Sequence, residues 1–170
     1  MKKSASSRWD RNTESIDDYL KALYALGGDE RGWVGGGELA ERLGITHASV
    51  TNMLQKLSAQ PKSYVDYRRG QGVRLTASGK RRALEVLRHH RLLETFLYEV
   101  LGYPMAELHD EAERLEHFIS ELFEERVAAK LGNPVTDPHG HCIPALDGSM
   151  PPAHGSSCQC GVPDEALLVR

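Results

Sequence analysis

The sequence predicts a mostly α fold, with a winged helix-turn-helix domain followed by a second helical domain. Three observations predict it. Residues 38–57 carry an apolar seam at helical spacing that is broken once, at Gly44. Two short β-prone runs then flank Arg68-Arg69-Gly70-Gln71-Gly72. A long apolar stripe from Leu84 to Val100 follows, too long for a small hairpin to cover.

The totals are those of an ordinary water-soluble chain: 170 residues, 40% hydrophobic and 26% charged, with a net charge of −3. Charge is unevenly placed. Between residues 68 and 91 the basic residues are Arg68, Arg69, Arg74, Lys80, Arg81, Arg82, Arg88 and Arg91, against Glu85 alone. From 94 to 125 acids dominate and Arg114 is the single basic residue. A positive stretch beside a negative one suggests an anion-binding module joined to a cation-binding one. Cys142, Cys158 and Cys160 are too few and too clustered for a disulfide framework. The polar N-terminus is no signal peptide, and no apolar run reaches membrane-spanning length, so a cytoplasmic protein with no membrane partner is expected.

In chain order, residues 1–12 read as a flexible arm. Ile16, Tyr19, Leu20, Leu23 and Tyr24 make a helix from Ser15 to about Gly27, with Ser15 and Asp18 spaced as a capping box. Glycines in 29–37 form a connection. In the 38–57 pair, Leu39, Ala40, Leu43, Ile45, Val50, Met53, Leu54 and Leu57 face inward. Outward on the second helix lie Thr46, His47, Ser49, Thr51, Asn52, Gln55 and Lys56, short polar or amide-bearing groups suited to phosphates and base edges. An ordinary helical hairpin would show the same seam; the basic hairpin that follows favours a DNA reader. Residues 64–67 and 73–76 are its strands, and Arg68 and Arg69 at its tip are placed to meet a sugar-phosphate backbone. Residues 1–76 thus form the DNA-binding domain. A long helix from Ala77 to about Val100 and helices over 105–119 and 121–131 build a second domain, 77–145, and residues 146–170 are a flexible tail containing Cys and His.

The second domain concentrates metal ligands. His109-Asp110-Glu111-Ala112-Glu113-Arg114-Leu115-Glu116-His117, if helical, gathers His109, Glu113, Glu116 and His117 on one side. His90 and Glu94 share a face upstream. His90, Glu94 and His109 can close around one ion; Glu113, Glu116 and His117 can hold a second, with Asp18 as the further oxygen donor. The same spacings also occur on solvated helix faces. With no sulfur among these donors, Mn²⁺ or Fe²⁺ suits them better than a soft metal. His139, His141, Cys142, His154, Cys158 and Cys160 form a separate set that either binds a soft metal or belongs to the flexible tail.

The order of these motifs resembles the diphtheria toxin repressor family over residues 13–145. The carrying motifs are Ser49-Val50-Thr51 with Leu57, Leu75-Thr76-x-x-Gly79, His90-Arg91-Leu92-x-Glu94 and His109-Asp110-Glu111-Ala112-x-x-x-Glu116-His117. The resemblance implies a metal-activated repressor that binds a palindromic operator in double-stranded DNA as a homodimer. It implies an ancillary site at His90, Glu94 and His109, and a primary site at Asp18, Glu113, Glu116 and His117. Iron-responsive members carry Met and Cys where this chain has Asp18 and Glu113, and the carboxylates point to the manganese transport regulators. Lys21 stands where those regulators are expected to carry a Glu ligand. The expectation is therefore a Mn²⁺-dependent repressor of metal-uptake genes. The alternatives are an Fe²⁺-responsive repressor, a metal-independent winged-helix regulator and a metallohydrolase. No nucleophile or oxyanion donor accompanies the ligands, so an enzyme is not expected.

Overall fold

Apolar residues spaced three and four apart need a common surface to cover them, and the helices of this chain provide it for one another. The computed structural model of the chain describes residues 11–27, 32–60 and 63–151, with the side chains of its first helix described from Ser15 onward. In order, the elements are α1 (Arg11–Ala25), α2 (Gly36–Leu43), α3 (His47–Ser58), β1 (Val65–Arg68), β2 (Gly72–Leu75), α4 (Ala77–Glu99), α5 (Met105–Leu115) and α6 (Glu121–Lys130).

One core holds α1, α2, α3 and the hairpin together: Leu20, Leu23, Leu39, Leu54, Leu57 and Val73 are fully or almost fully buried there. Each such side chain removed from water contributes about 1.5–3 kcal/mol. Further on, Leu93 and Leu97 of α4 meet Leu108 and Ala112 of α5. Leu92 meets Val127, Ala128 and Ile143. The following helices therefore cover the middle of the α4 stripe. Its end is left open: Tyr98, Val100 and Leu101 are exposed, as are Met105, Phe118, Leu122 and Phe123.

Side-chain hydroxyls fix three helix starts. Thr46 Oγ1 accepts from Ser49 N at the start of α3, Thr76 Oγ1 from Gly79 N at α4, and Ser120 Oγ from Phe123 N at α6. Gly44, in the left-handed region at φ 63°, makes the turn between α2 and α3. The hairpin pairs Val65 with Leu75 through Arg68 with Gly72, and Val34 bridges to Val73 on the far side of β2.

Three expectations are corrected, and one contact was not foreseen. Helix α1 starts at Arg11, a turn before Ser15, so Ser15 sits inside the helix and no capping box forms with Asp18. Ile45 is 39% exposed instead of lying in the seam, because the α2–α3 turn carries it outward. The pairing of Val34 was missed because a single bridging residue has no period to read. Helix α5 ends at Leu115, so Glu116 and His117 ride on the turn that follows. The expected arm at 1–10 and the tail beyond 151 lie outside the described residues.

Gly79 shows why the Leu75-Thr76-x-x-Gly79 motif is strict. A Cβ at that position would lie 2.0 Å from the Tyr64 carbonyl oxygen. Gly79→Ala is expected to cost roughly 1–3 kcal/mol of unfolding free energy through overpacking. Urea denaturation measures it, and an unchanged midpoint would show that α4 is not wedged so tightly against residue 64.

Candidate metal centre and nucleic-acid interface

Helix α1 packs along α4, and α4 along α5, so polar groups on their facing sides meet in one buried junction. The structure brings Asp18, Glu116 and His117 together, their donor atoms all within 4.8 Å of one another. His117 Nε2 is 3.2 Å from Asp18 Oδ1 and 3.4 Å from Glu116 Oε1. The other imidazole nitrogen, Nδ1, is 3.4 Å from Asp17 Oδ2. Arg82 grips Asp17 by two bonds, Nε to Oδ1 at 2.8 Å and Nη2 to Oδ2 at 2.7 Å. Asp17 therefore orients the ring so that Nε2 faces Asp18 and Glu116. Asp17 was not expected from the sequence, because its partners lie 65 and 100 residues away.

A second group gathers His90, His109 and Glu113, again with donor atoms within 4.8 Å. His109 Nδ1 is 3.2 Å from His90 Nε2, and His90 Nδ1 is 3.7 Å from Glu113 Oε2. Glu94 adjoins it, Oε1 lying 3.2 Å from His90 Nε2. The seven expected ligands thus all reach the junction, but Glu113 stands with His90 and His109 and not in the Asp18 group. The two groups touch through Glu116, whose Oε2 is 2.5 Å from His90 Nδ1. Lys21 is buried between them, its Nζ 3.0 Å from Glu113 Oε2 and 2.6 Å from Glu116 Oε1.

A third group, Asp137, His139 and His141, lies on the segment after α6. His139 Nδ1 is 3.5 Å from Glu94 Oε2, so this segment leans on the junction. Arg91 Nη1 donates to the Cys142 carbonyl at 2.5 Å and Arg88 Nη1 to that of Pro144 at 2.7 Å, pinning the segment to α4. Several arginines of the basic stretch therefore serve internal contacts rather than an external anion. His139 and His141, which the sequence offered with Cys142 either as soft-metal ligands or as part of the flexible tail, group instead with Asp137, and His154, Cys158 and Cys160 lie outside the described residues.

Burial disfavours charge on Asp17, Lys21, His90, Glu94, Glu116 and His117, and neighbouring charges and hydrogen bonds reverse it at each. Asp17, Asp18 and Glu116 outweigh burial at His117 and push its pKa up to about 10. Glu116 and Glu94 do the same for His90, raised to about 9. His90 and Lys21 hold Glu116 down to about 2 against the burial that would raise it. His109 moves the other way, lowered by burial and by the His90 charge beside it.

Along α3 and its cap, Thr46, His47, Ser49, Asn52, Gln55 and Lys56 are exposed and Thr51 is half-buried, and Ser49, Asn52 and Lys56 line a cleft shared with Asp18 of α1. Four of them have local work: Thr46 caps α3 and pairs with the Ser49 hydroxyl, Thr51 Oγ1 donates to the His47 carbonyl, and the His47 ring lies against Gly36, where a Cβ would be 2.9 Å from Nε2. Arg68 and Arg69 are exposed at the hairpin tip. Trp33 braces the wing, with the Arg68 and Arg74 guanidinium carbons 4.7 and 4.8 Å from its ring centre.

Two family profiles match consecutive parts of this chain. Residues 12–73 match the iron dependent repressor N-terminal DNA binding domain, and residues 76–145 match the iron dependent repressor metal binding and dimerisation domain. The chain belongs to the iron-dependent repressor family. It is 35% identical over 159 residues to the iron-dependent repressor IdeR of Mycobacterium tuberculosis and of Mycobacterium bovis, covering 92% of this chain and 64% of each relative. A manganese-dependent transcriptional repressor in complex with manganese superposes with a TM-score of 0.71 at 44% identity, over 81% of this chain and 62% of that one. The repressor ScaR with bound Zn²⁺ gives 0.68 at 37%, over 79% and 62%. The chain thus spans somewhat less than two thirds of the length of these relatives.

The residues present fit the metal that the family implies. Asp18 Oδ1 and Glu94 Oε1 are buried carboxylate oxygens whose nearest partners, His117 Nε2 and His90 Nε2 at 3.2 Å, meet them outside regular hydrogen-bond geometry, and the surrounding donors are carboxylate and imidazole, as a hard divalent ion prefers. Metal coordination requires neutral imidazole. With the His117 pKa raised from 6.5 to about 10, the metal-free protein carries an imidazolium there. The stability it contributes is complete below the unfolded value and is lost as pH rises through the folded one. An ion binding on Asp18, Glu116 and His117 must release that proton, so apparent Mn²⁺ affinity is expected to rise up to about tenfold per pH unit between about pH 6.5 and 8.5. Calorimetry in buffers of different ionisation enthalpy counts the proton; affinity flat with pH would mean that His117 is already neutral.

Proposed function

We propose that this protein is a Mn²⁺-dependent, DNA-binding transcriptional regulator, acting as a homodimer on a palindromic operator and repressing metal-uptake genes. The observation that carries the reading is the make-up of the Asp18, Glu116 and His117 group. Asp18 belongs to α1, which shares its core with the helix-turn-helix, whereas Glu116 and His117 follow α5. A bound divalent cation supplies the positive charge that holds donors from both domains in contact.

The chain's own residues do the rest. Leu20 and Leu23 make α1 part of the reader domain, so fixing Asp18 fixes the orientation of α3. Asp17 and Arg82 hold the His117 ring in register from the other side. The exposed Tyr98, Leu101, Met105, Phe118, Leu122 and Phe123 supply apolar surface for the second protomer. Two readers held rigidly by one dimer then match half-sites about 34–36 Å, or a multiple of that, apart. No helix among the described residues is long and apolar enough to cross a membrane, and we place the protein in the cytoplasm with its DNA.

The carboxylate at Glu113, the all-oxygen-and-nitrogen donor set and the manganese-bound structural relative support Mn²⁺. Fe²⁺ is the second reading, favoured by the retained His90, Glu94 and His109 and by the iron-dependent relatives. Side-by-side titration with both ions, following anisotropy of a duplex recovered by in vitro selection, separates them. Asp18→Ala and His117→Ala are each expected to lower metal-activated DNA affinity by at least roughly 10–100-fold, the loss typical even for groups one step removed from a metal. DNA affinity that ignores both ions would leave a metal-independent regulator. Metal-dependent hydrolysis without DNA affinity would leave a metalloenzyme.

At the wing, Arg68→Ala and Arg69→Ala are expected each to reduce the slope of log affinity against log salt by about 1, with base preference unchanged. An unaltered slope would place the hairpin tip away from the phosphates.

A further inference from the structure

We propose that Lys21 is a tethered cation standing in for a second metal ion, so that the junction takes one divalent ion on Asp18, Glu116 and His117 and excludes another between Glu113 and Glu116. The inference rests on the metal-site reading above. Lysine is seldom fully buried unless paired, and Lys21, 4% exposed, is paired twice. Its ammonium fills the gap between two carboxylates that would otherwise repel each other inside the protein. Glu116 Oε1 faces two ways: it accepts from Lys21 Nζ at 2.6 Å and stands 3.4 Å from His117 Nε2.

A carboxylate oxygen has lone pairs for two partners. One ion can therefore bind on the Asp18 and His117 side of Glu116 while Lys21 stays where it is. A second ion bridging Glu113 and Glu116 would need the lone pairs that Nζ already engages and would meet a fixed positive charge at close range. Unlike a metal ion, the ammonium cannot be diluted away. Lys21 ties α1 to Glu113 and Glu116 with no exchangeable ion, and the only exchangeable ion proposed on Glu116 is the one on its Asp18 and His117 side.

The test counts Mn²⁺ per protomer by equilibrium dialysis and locates it by anomalous scattering in crystals of the whole chain. Wild type is expected to show no peak within ligand distance of both Glu113 and Glu116. Lys21→Glu, which replaces the ammonium by a further oxygen donor, is expected to bind one more ion per protomer than wild type, with a peak against Glu113. Lys21→Met keeps the stem and drops the charge; it is expected to gain the same ion with weaker affinity, and it decides the matter if Lys21→Glu does not fold. Equal counts in wild type and the folded variant overturn the inference, as does a wild-type peak bridging Glu113 and Glu116 with Lys21 displaced. In either case a wild-type peak on Asp18, Glu116 and His117 leaves the proposed function standing. Wild type that binds no Mn²⁺ removes both.

Discussion

Burial of acids and bases from α1, α4 and the end of α5 in one junction is the constraint on which the rest of the structure depends. Asp17, Lys21, His90, Glu94, Glu116 and His117 are all less than a tenth exposed. None of them can stand there alone, because an unpaired charge away from water costs several kcal/mol. Each must therefore be met by a partner on another element, and those partners determine where α1 lies against α4. Arg82 meets Asp17, Lys21 meets Glu113 and Glu116, and His90 meets Glu116. The apolar cores to either side could tolerate some sliding; these pairs cannot.

Such pairs contribute little net stability, since desolvation offsets most of the attraction. They specify one arrangement of α1 against α4 and the end of α5. A charge-paired interface responds to an added cation much more strongly than an apolar one. Coupling of about 1–3 kcal/mol between metal and DNA would be ordinary for such a device. Two adjacent aspartates on α1 flank one imidazole: Asp17, gripped by Arg82, lies 3.4 Å from His117 Nδ1, and Asp18 Oδ1 lies 3.2 Å from Nε2.

Much of this was legible in the sequence because it repeats. Helical spacing marked α2, α3, α4 and α6 to within a residue or two, and the Arg-Gly turn marked the wing. The seven candidate ligands were named from residue type, spacing and the family resemblance, and every one lies at the junction. What the sequence concealed has no period. Asp17 is significant through partners far along the chain. Trp33 acts through cation–π contacts with arginines more than thirty residues on. Residues 109–117 were expected as one helix, and a local pattern cannot reveal that α5 stops at Leu115. The grouping of ligands followed the same limit, since Glu113 joins His90 and His109 through tertiary packing alone.

The end of α5 has its own consequence. Helix α5 ends at Leu115, but Glu116 keeps helical angles, φ −57° and ψ −29°, and its N–H still donates to the Ala112 carbonyl at 2.9 Å, so Glu113 and Glu116 follow one helical path and the chain turns away after them. Lys21 clasps this last turn through both carboxylates. The turn after Leu115 is thereby held to α1 at its first residue and to Asp17 at its second. A donor pair on a free turn would wander; here Glu116 and His117 are positioned by side chains whose charges are already paired, Lys21 on one and Asp17, itself gripped by Arg82, on the other.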